Sequence, residues 1–354
     1  MFIMTVPISE LKSRLSNIRK DMSKEGIDSL LISGKGNIIY LTGGEDGVVV
    51  ITTEHAILWL KDIYIKHYEE LYLHKNYPFE IREYGNDVTN DVIEYLKCLK
   101  NRIGVENITI NSYEKLLAKI KNKLIISNIV EFRRMIKSDF EIDMLKKSAE
   151  IAKKGMCKAY EVIRDGISEA EAAAEIESTI RKHGSETPPF GSGILLASGS
   201  STADIHAKPT QNKIKNNSLV IVDLGARYNH YFSDMTRSIP VGNIGKKERD
   251  TFEFIKSLEE ETIERLEIGI RAEDIHEFVK NEINKRGYKF YHSTGHGVGL
   301  EIHELPNIAS ESDIHLKDRM VFTIEPGIYI PKRFGVRFED TVLLRKNKIE
   351  IITR

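Results

Sequence analysis

The 354-residue sequence has only two cysteines, Cys98 and Cys157. Two are too few for a disulfide scaffold, and their spacing offers no C-x-x-C pair for zinc or redox chemistry, so both are expected to be ordinary core residues. Net charge is nearly absent as well: 53 acidic side chains against 52 basic ones leave no field to attract nucleic acid or a membrane surface, and neither is expected as a partner. No stretch approaches the roughly 18 apolar residues of a membrane helix. The opening run MFIMTVPISELKSRLSNIRK carries too short an apolar segment for a secretory signal. Together these absences predict a soluble, cytoplasmic protein.

The length exceeds the usual size of one compact domain, which favours two. From residue 8 to about 130, helical patterns such as ISELKSRLSNIRKDMSKEG and DVTNDVIEYLKCLK alternate with β-branched runs such as DSLLISG, GVVVITTEHAILWL and RIGVEN. This alternation predicts an α/β domain over 1–130. A long helical stretch over about 138–164 then opens a second domain, 131–354, with a different texture.

The second domain contains an internal repeat. VIRDGISEAEAAAEIESTIRKHG (162–184) aligns without gaps to RLEIGIRAEDIHEFVKNEINKRG (265–287), and Gly166 and Gly184 match Gly269 and Gly287. The likeness continues more loosely: DIH at His206 meets EIH at His303, LVIVDLG at Asp223 meets VFTIEPG at Glu325, and YFSDMTR at Asp234 meets VRFEDTV at Glu339. Each half thus offers a histidine, a carboxylate ending an apolar strand, and a second carboxylate in a following strand. A carboxylate at the end of a buried strand costs several kcal/mol unless a cation or donors compensate. Several such groups cannot ionise together without a multivalent cation. With an imidazole beside them they make a mostly hard-oxygen site, suited to Mn²⁺, Co²⁺ or Mg²⁺ more than to structural zinc. Two divalent ions sharing carboxylates would neutralise the set and activate a water. The glycine-rich run GHGVGLEIHE (295–304) is a phosphate loop only if a strand precedes it and a helix follows, and its histidines need partners elsewhere.

The ordered set IVDLG, FSDMTR, STGHGVGLEIHE, TIEPGIY and VRFEDTV resembles the pita-bread metallopeptidases, a group that includes Xaa-Pro aminopeptidase, prolidase, methionine aminopeptidase and the metal-free creatinase. The likeness covers residues from about 131 onward, with RRMIKSDFEIDMLKKSAEIA resembling the entry helix of that family. GNIIYLTGG is the weaker mark of a creatinase-like N-terminal domain. The resemblance implies an α/β creatinase-like N-terminal domain followed by an α+β, duplicated pita-bread catalytic domain. It implies that Asp223 chelates one metal, that His296 and Glu325 hold the other, and that Asp234 and Glu339 bridge both. The ions expected are Mn²⁺ or Co²⁺, with Zn²⁺ as a further option. His206, His292 and His303 match histidines that contact substrate or support the site, and Glu325 would handle the proton of the attacking water. His206 follows ADI where the family usually places a proline before that histidine. Gly295, Gly297 and Gly299 are expected to let the backbone approach the metals. His55, His67, His74, His183, His230, His276 and His315 lack partners at motif spacing and are read as surface or packing residues.

The function expected is hydrolysis of the bond between an N-terminal residue and a following proline, on a proline-containing peptide. A methionine aminopeptidase is disfavoured by the extra N-terminal domain and by the short separation of Glu325 and Glu339. A creatinase-like enzyme or a non-catalytic binding protein is disfavoured by the intact ligand set. Prolidases tend to carry an arginine after the HExP stretch, to hold the free carboxylate of a dipeptide, whereas HELPNI has Asn307 there. The expectation therefore leans to an Xaa-Pro aminopeptidase acting on longer peptides, with prolidase as the alternative. Arg337, two residues before Glu339, is the candidate substitute for binding that carboxylate, against a plain structural ion pair. The resemblance also implies a homodimer.

Overall fold

The computed structural model describes residues 6–72, 76–99, 102–120, 124–346 and 348–354. The chain divides into two compact units, residues 1–134 and 135–354. The division falls after Arg134 rather than at 130 because the short helix Ile129–Arg134 still belongs to the first unit. There Val130 N and Glu131 N donate to the buried Glu106 carboxylate, and Arg134 donates to Asn37 at 2.8 Å.

In the first unit the patterned segments take their expected forms. ISELKSRLSNIRKDMSKE is a helix, Ile8–Glu25, stopped by Gly26 at φ 63°, a left-handed conformation that suits glycine. The β-branched runs become strands Ser29–Ile32, Val48–Thr52, Ala56–Leu60 and Ile103–Glu106. These join strands Glu80–Glu83 and Leu124–Ile126 in a six-stranded mixed sheet. Ser29–Ile32 sits near its centre, antiparallel to Val48–Thr52 and parallel to Ile103–Glu106. His74 lies outside the described residues.

The second unit is built twice. Helix Asp139–Val162 opens it behind a capping box in which Ser138 and Glu141 satisfy each other's backbone N–H groups. The repeat helices are Glu169–Lys182 and Ala272–Lys285, displaced by the same offset at both ends. The chain entering each helix is tied in the same way: Gly166 N donates to Ile214 O and Gly269 N to Leu316 O, while Ile214 N returns to Ile167 O and Leu316 N to Ile270 O. Against the first helix packs a three-stranded sheet in which strand Ser218–Tyr228 pairs with Leu195–Ser198 and Tyr231–Val241. The second half contributes a five-stranded sheet whose middle strand is Val321–Ile324, and a two-stranded ribbon of Gly327–Ile330 and Phe334–Arg337. The halves meet at an antiparallel bridge between Thr236 and Glu339.

Two expectations fail here. Cys98 and Cys157 are exposed, because each lies on the solvent side of an amphipathic helix. Asp223 does not end its strand; the strand runs on through Gly225 to Tyr228 as one arm of a long hairpin. Among the described residues no helix is long and apolar enough to cross a membrane.

Candidate metal centre

Asp223 and Asp234 lie in the paired strands Ser218–Tyr228 and Tyr231–Val241, whose register places Gly225 opposite Asp234. Gly225 permits this approach, since a Cβ there would lie 1.9 Å from Ser233 O. Glu325 follows strand Val321–Ile324, and its backbone N–H is tied to Thr294 O at 2.8 Å. Glu339 stands between strands Phe334–Arg337 and Asp340–Arg345, where the bridge to Thr236 holds it. Thr236 Oγ1 donates to Glu339 Oε2 at 2.6 Å.

His296 completes the cluster from the short strand Gly295–Gly297. One ligand atom each from Asp234, His296 and Glu339 lie within 4.8 Å of one another, and all three residues are buried. His296 Nε2 is 3.7 Å from Asp234 Oδ2 and 3.5 Å from Glu325 Oε1. Its Nδ1 sits 3.1 Å from Gly297 O, an arrangement that places the proton on Nδ1 and leaves the Nε2 lone pair facing the carboxylates. Burial, with His303 nearby, pushes the His296 pKa down to about 4, so the ring is neutral at pH 7.

The carboxylates carry the opposite strain. Desolvation, then repulsion from Glu339, Asp223 and Glu325, raises Asp234 well above the usual range. Glu339 is raised for the same reasons, and burial lifts Glu325 to about 7. Asp223 Oδ1 and Asp234 Oδ1 are buried with no hydrogen-bond partner among the described residues. Orphaned acceptors, mutually repelling carboxylates and a neutral imidazole together are the donor set of a hard divalent cation site, and these residues fit one.

All nine residues singled out in the sequence line one cavity of about 590 Å³. The ring of His303 stands edge-on to that of His296, with centroids 4.2 Å apart. His206 is exposed and reaches the cavity from a loop. His292 has both nitrogens engaged: Nδ1 lies 2.8 Å from Ser293 O, and Nε2 is 3.1 Å from the Tyr329 hydroxyl. Arg337 donates to that hydroxyl at 2.9 Å, so the protons run one way, from Arg337 to Tyr329 to His292 to Ser293. The same guanidinium holds Asp223 Oδ2 at 2.5 Å and reaches Thr236 Oγ1 at 3.3 Å. The structural ion pair, not a free substrate-binding cation, is therefore the arrangement found for Arg337. Asn307 also lines the cavity.

The three glycines of GHGVG make room for close neighbours. A Cβ on Gly295 would meet Thr323 O at 1.8 Å, one on Gly297 would meet Leu305 O at 2.2 Å, and one on Gly299 would meet Glu304 Oε1 at 2.2 Å. They admit neighbouring backbone and a side chain. Sequence reasoning also missed Thr236 and Tyr329. No spacing rule links either to its partners, although TR after SDM and the tyrosine of EPGIY lie inside the motifs. His276 packs against Phe290 and pairs with Thr294, while His183 and His315 bond backbone carbonyls, as packing residues do.

Comparison with known proteins identifies the family of the chain. The family models of metallopeptidase family M24 and of the creatinase/prolidase N-terminal domain match residues 143–346 and 14–136. An Xaa-Pro dipeptidase of Pyrococcus horikoshii is 35% identical over 97% of each chain. The structure of an Xaa-Pro dipeptidase from Bacillus anthracis is 31% identical with a TM-score of 0.89, covering 97% of this chain and 98% of its own. That of an X-Pro aminopeptidase from Thermotoga maritima is 28% identical with a TM-score of 0.85, covering 96% and 97%. The duplicated unit is thus the pita-bread fold with a creatinase-type domain before it, and the chain belongs to metallopeptidase family M24, whose chemistry uses divalent metal ions.

Proposed function

We propose that the protein is an Xaa-Pro dipeptidase using two divalent ions held by Asp223, Asp234, His296, Glu325 and Glu339. The observation that carries the reading is the convergence of four carboxylates and a neutral imidazole, two carboxylate oxygens being orphaned, in a cavity that also presents His206 and His303. The two relatives with the higher identities are both named Xaa-Pro dipeptidase, which favours the dipeptide over the longer substrate expected from Asn307. Such a bond needs a dedicated pocket because its imide lacks an N–H and restrains the dihedrals on either side.

Bound divalent ions, manganese or cobalt ahead of zinc, would neutralise the acidic set, polarise the scissile carbonyl and acidify a water. Glu325 takes the proton of the attacking water and passes it on. His303, beside the His296 ring, donates to the carbonyl oxygen as charge develops there. His206 steadies the peptide from the exposed side. His292 holds Tyr329 and through it Arg337, and so keeps Asp223 oriented.

Measured kcat/KM for an Xaa-Pro dipeptide and for its Xaa-Pro-Yaa extension, with Mn²⁺ or Co²⁺ present, tests the proposal. Preference for the dipeptide supports it, and hydrolysis of neither rejects it. Preference for the tripeptide would establish the second reading, an Xaa-Pro aminopeptidase, which the neutral amide of Asn307 in the cavity favours. A homodimer, proposed from the resemblance alone, is checked by light scattering at micromolar concentration.

A further inference from the structure

Residues 299–303 make an irregular excursion between strands Gly295–Gly297 and Glu304–Ile308, and His303 leaves it beside His296. The excursion is tied by Gly299, whose N–H donates to Glu301 O and whose carbonyl accepts from Phe232 N. Its underside is occupied by the side chain of Glu304. Glu304 Oε2 accepts from Glu301 N at 3.3 Å, and Oε1 lies where a Cβ on residue 299 would be, so only glycine leaves room for the carboxylate. The counter-ion is Lys137, far off in sequence, and the two side chains are 1% and 6% exposed.

Lys137 is itself fixed. Its N–H donates to Arg319 O at 3.0 Å, and its carbonyl accepts from Arg319 Nε at 2.6 Å. The next residue is Ser138, which caps helix Asp139–Val162. The ammonium is therefore carried on a rigid helix start and aimed under the loop. Desolvating two charges generally costs as much as their attraction returns, so a core needing only stability would be served as well by apolar side chains. What an ion pair adds is direction: it fixes where the Glu304 carboxylate lies, and hence the turn from Gly299 to His303.

We propose that Lys137 and Glu304 form a positioning pair for His303, setting the imidazole against the substrate carbonyl without touching substrate themselves. The proposal rests on the catalytic role given to His303 above. It predicts a defect in kcat with little change in KM, because misplacing a donor by about 1 Å can cost about a hundredfold in rate while ground-state binding persists.

Three variants test it: Lys137→Met, Glu304→Gln, and the double variant. Lys137→Met removes the ammonium paired with the buried Glu304 carboxylate and is expected to be the least stable. Removing both charges relieves that penalty, so the double variant should recover most of the melting temperature. Its kcat on the Xaa-Pro dipeptide should nevertheless stay about ten- to a hundredfold low with KM within about threefold of wild type. Recovery of wild-type kcat along with stability would overturn the proposal, since the pair would then be charge compensation alone. Glu304→Gln, which preserves shape, should show the same kcat-selective loss if the double variant does not fold, and wild-type kcat there also overturns it. A second readout needs no turnover: in histidine-labelled protein the His303 imidazole resonance, identified by its loss in His303→Asn, should shift in Glu304→Gln while that of His183 stays put. An unmoved His303 signal overturns the positioning role. If wild type hydrolyses no Xaa-Pro substrate, the proposed function fails, and the resonance still decides whether the pair positions His303.

Discussion

The two halves of the catalytic unit share a scaffold but solve the placement of carboxylates differently. The helices Glu169–Lys182 and Ala272–Lys285 and the chain entering them repeat at one offset, down to the paired hydrogen bonds at Gly166 and Gly269. In the first half both aspartates project from within one uninterrupted hairpin of two 11-residue strands. In the second half each glutamate sits where a strand stops, Glu325 after Ile324 and Glu339 between two strands. The shorter side chain comes from the regular backbone, and the longer one from a break. Even the helix starts differ: Ser168 and Glu171 form a capping box, whereas the matching Arg271 and Asp274 form an ion pair at 3.1 Å. Duplication has preserved what builds the walls, and the site was shaped by departures from it.

The sharpest way to break the comparison is to remove one carboxylate from each half. Asp234→Ala and Glu339→Ala are both expected to lower kcat/KM by more than about a thousandfold, and elemental analysis should show reduced metal retention in both. Near-normal turnover in either would mean that the carboxylate of that half is not needed to hold the ions. Next come the glycines that let each half close. A Cβ at Gly225 would collide with Ser233 O, and one at Gly295 with Thr323 O, in both cases backbone. Gly225→Ala and Gly295→Ala should each cost about 2–4 kcal/mol in urea unfolding. A mild effect at one of them would show that half to be the more deformable.

Comparable in size is a pH effect to which Glu325 of the second half contributes. The Glu325 carboxyl is raised to about 7 in the fold against about 4.3 in an unfolded chain. The folded state therefore binds the extra proton between these values, so metal-free protein loses stability as pH rises from about 4.5 to 7, by about 3 kcal/mol from this group. Calorimetry of chelator-treated wild type against Glu325→Gln should show a shallower slope in the variant, the remainder coming from Asp234 and Glu339, and added Mn²⁺ should stabilise wild type more at pH 8 than at pH 5. The smallest effect is a symmetry check. Gly166 and Gly269, at φ 85° and 95°, have no atoms within 4 Å of where a methyl group would stand, so alanine at either should cost only the left-handed backbone penalty of about 1 kcal/mol. Unequal melting shifts would show that the two helix entries are not energetically equivalent.

Most of the scaffold was legible from local pattern and a repeat whose spacing survives, and the five residues proposed as ligands, marked in the sequence by that repeat and by the family resemblance, do line one cavity. What escaped depends on contacts between distant segments. Thr236 and Tyr329 are ordinary strand residues until Glu339 and His292 are brought to them. The role of Gly299 was invisible because the group it admits, the Glu304 carboxylate, is paired with Lys137 from a distant segment of the chain. The cysteines were misjudged on residue type alone, although the helical phase of Cys98, six residues after the buried Val92 and two after Leu96, places it off the apolar stripe.

The arginine that joins Asp223 changes the charge stoichiometry of the cavity. Four ionised carboxylates and one guanidinium sum to three negative charges, with His296 contributing none. A single divalent ion would leave one negative charge over, and two would leave one positive. The doubly loaded centre would thus be neutral only with one anion added, so small monovalent anions such as fluoride or acetate should compete with substrate, and more strongly as hydroxide becomes scarce at lower pH. Arg337, in this light, sets how many ions the pocket can hold before it begins to attract anions.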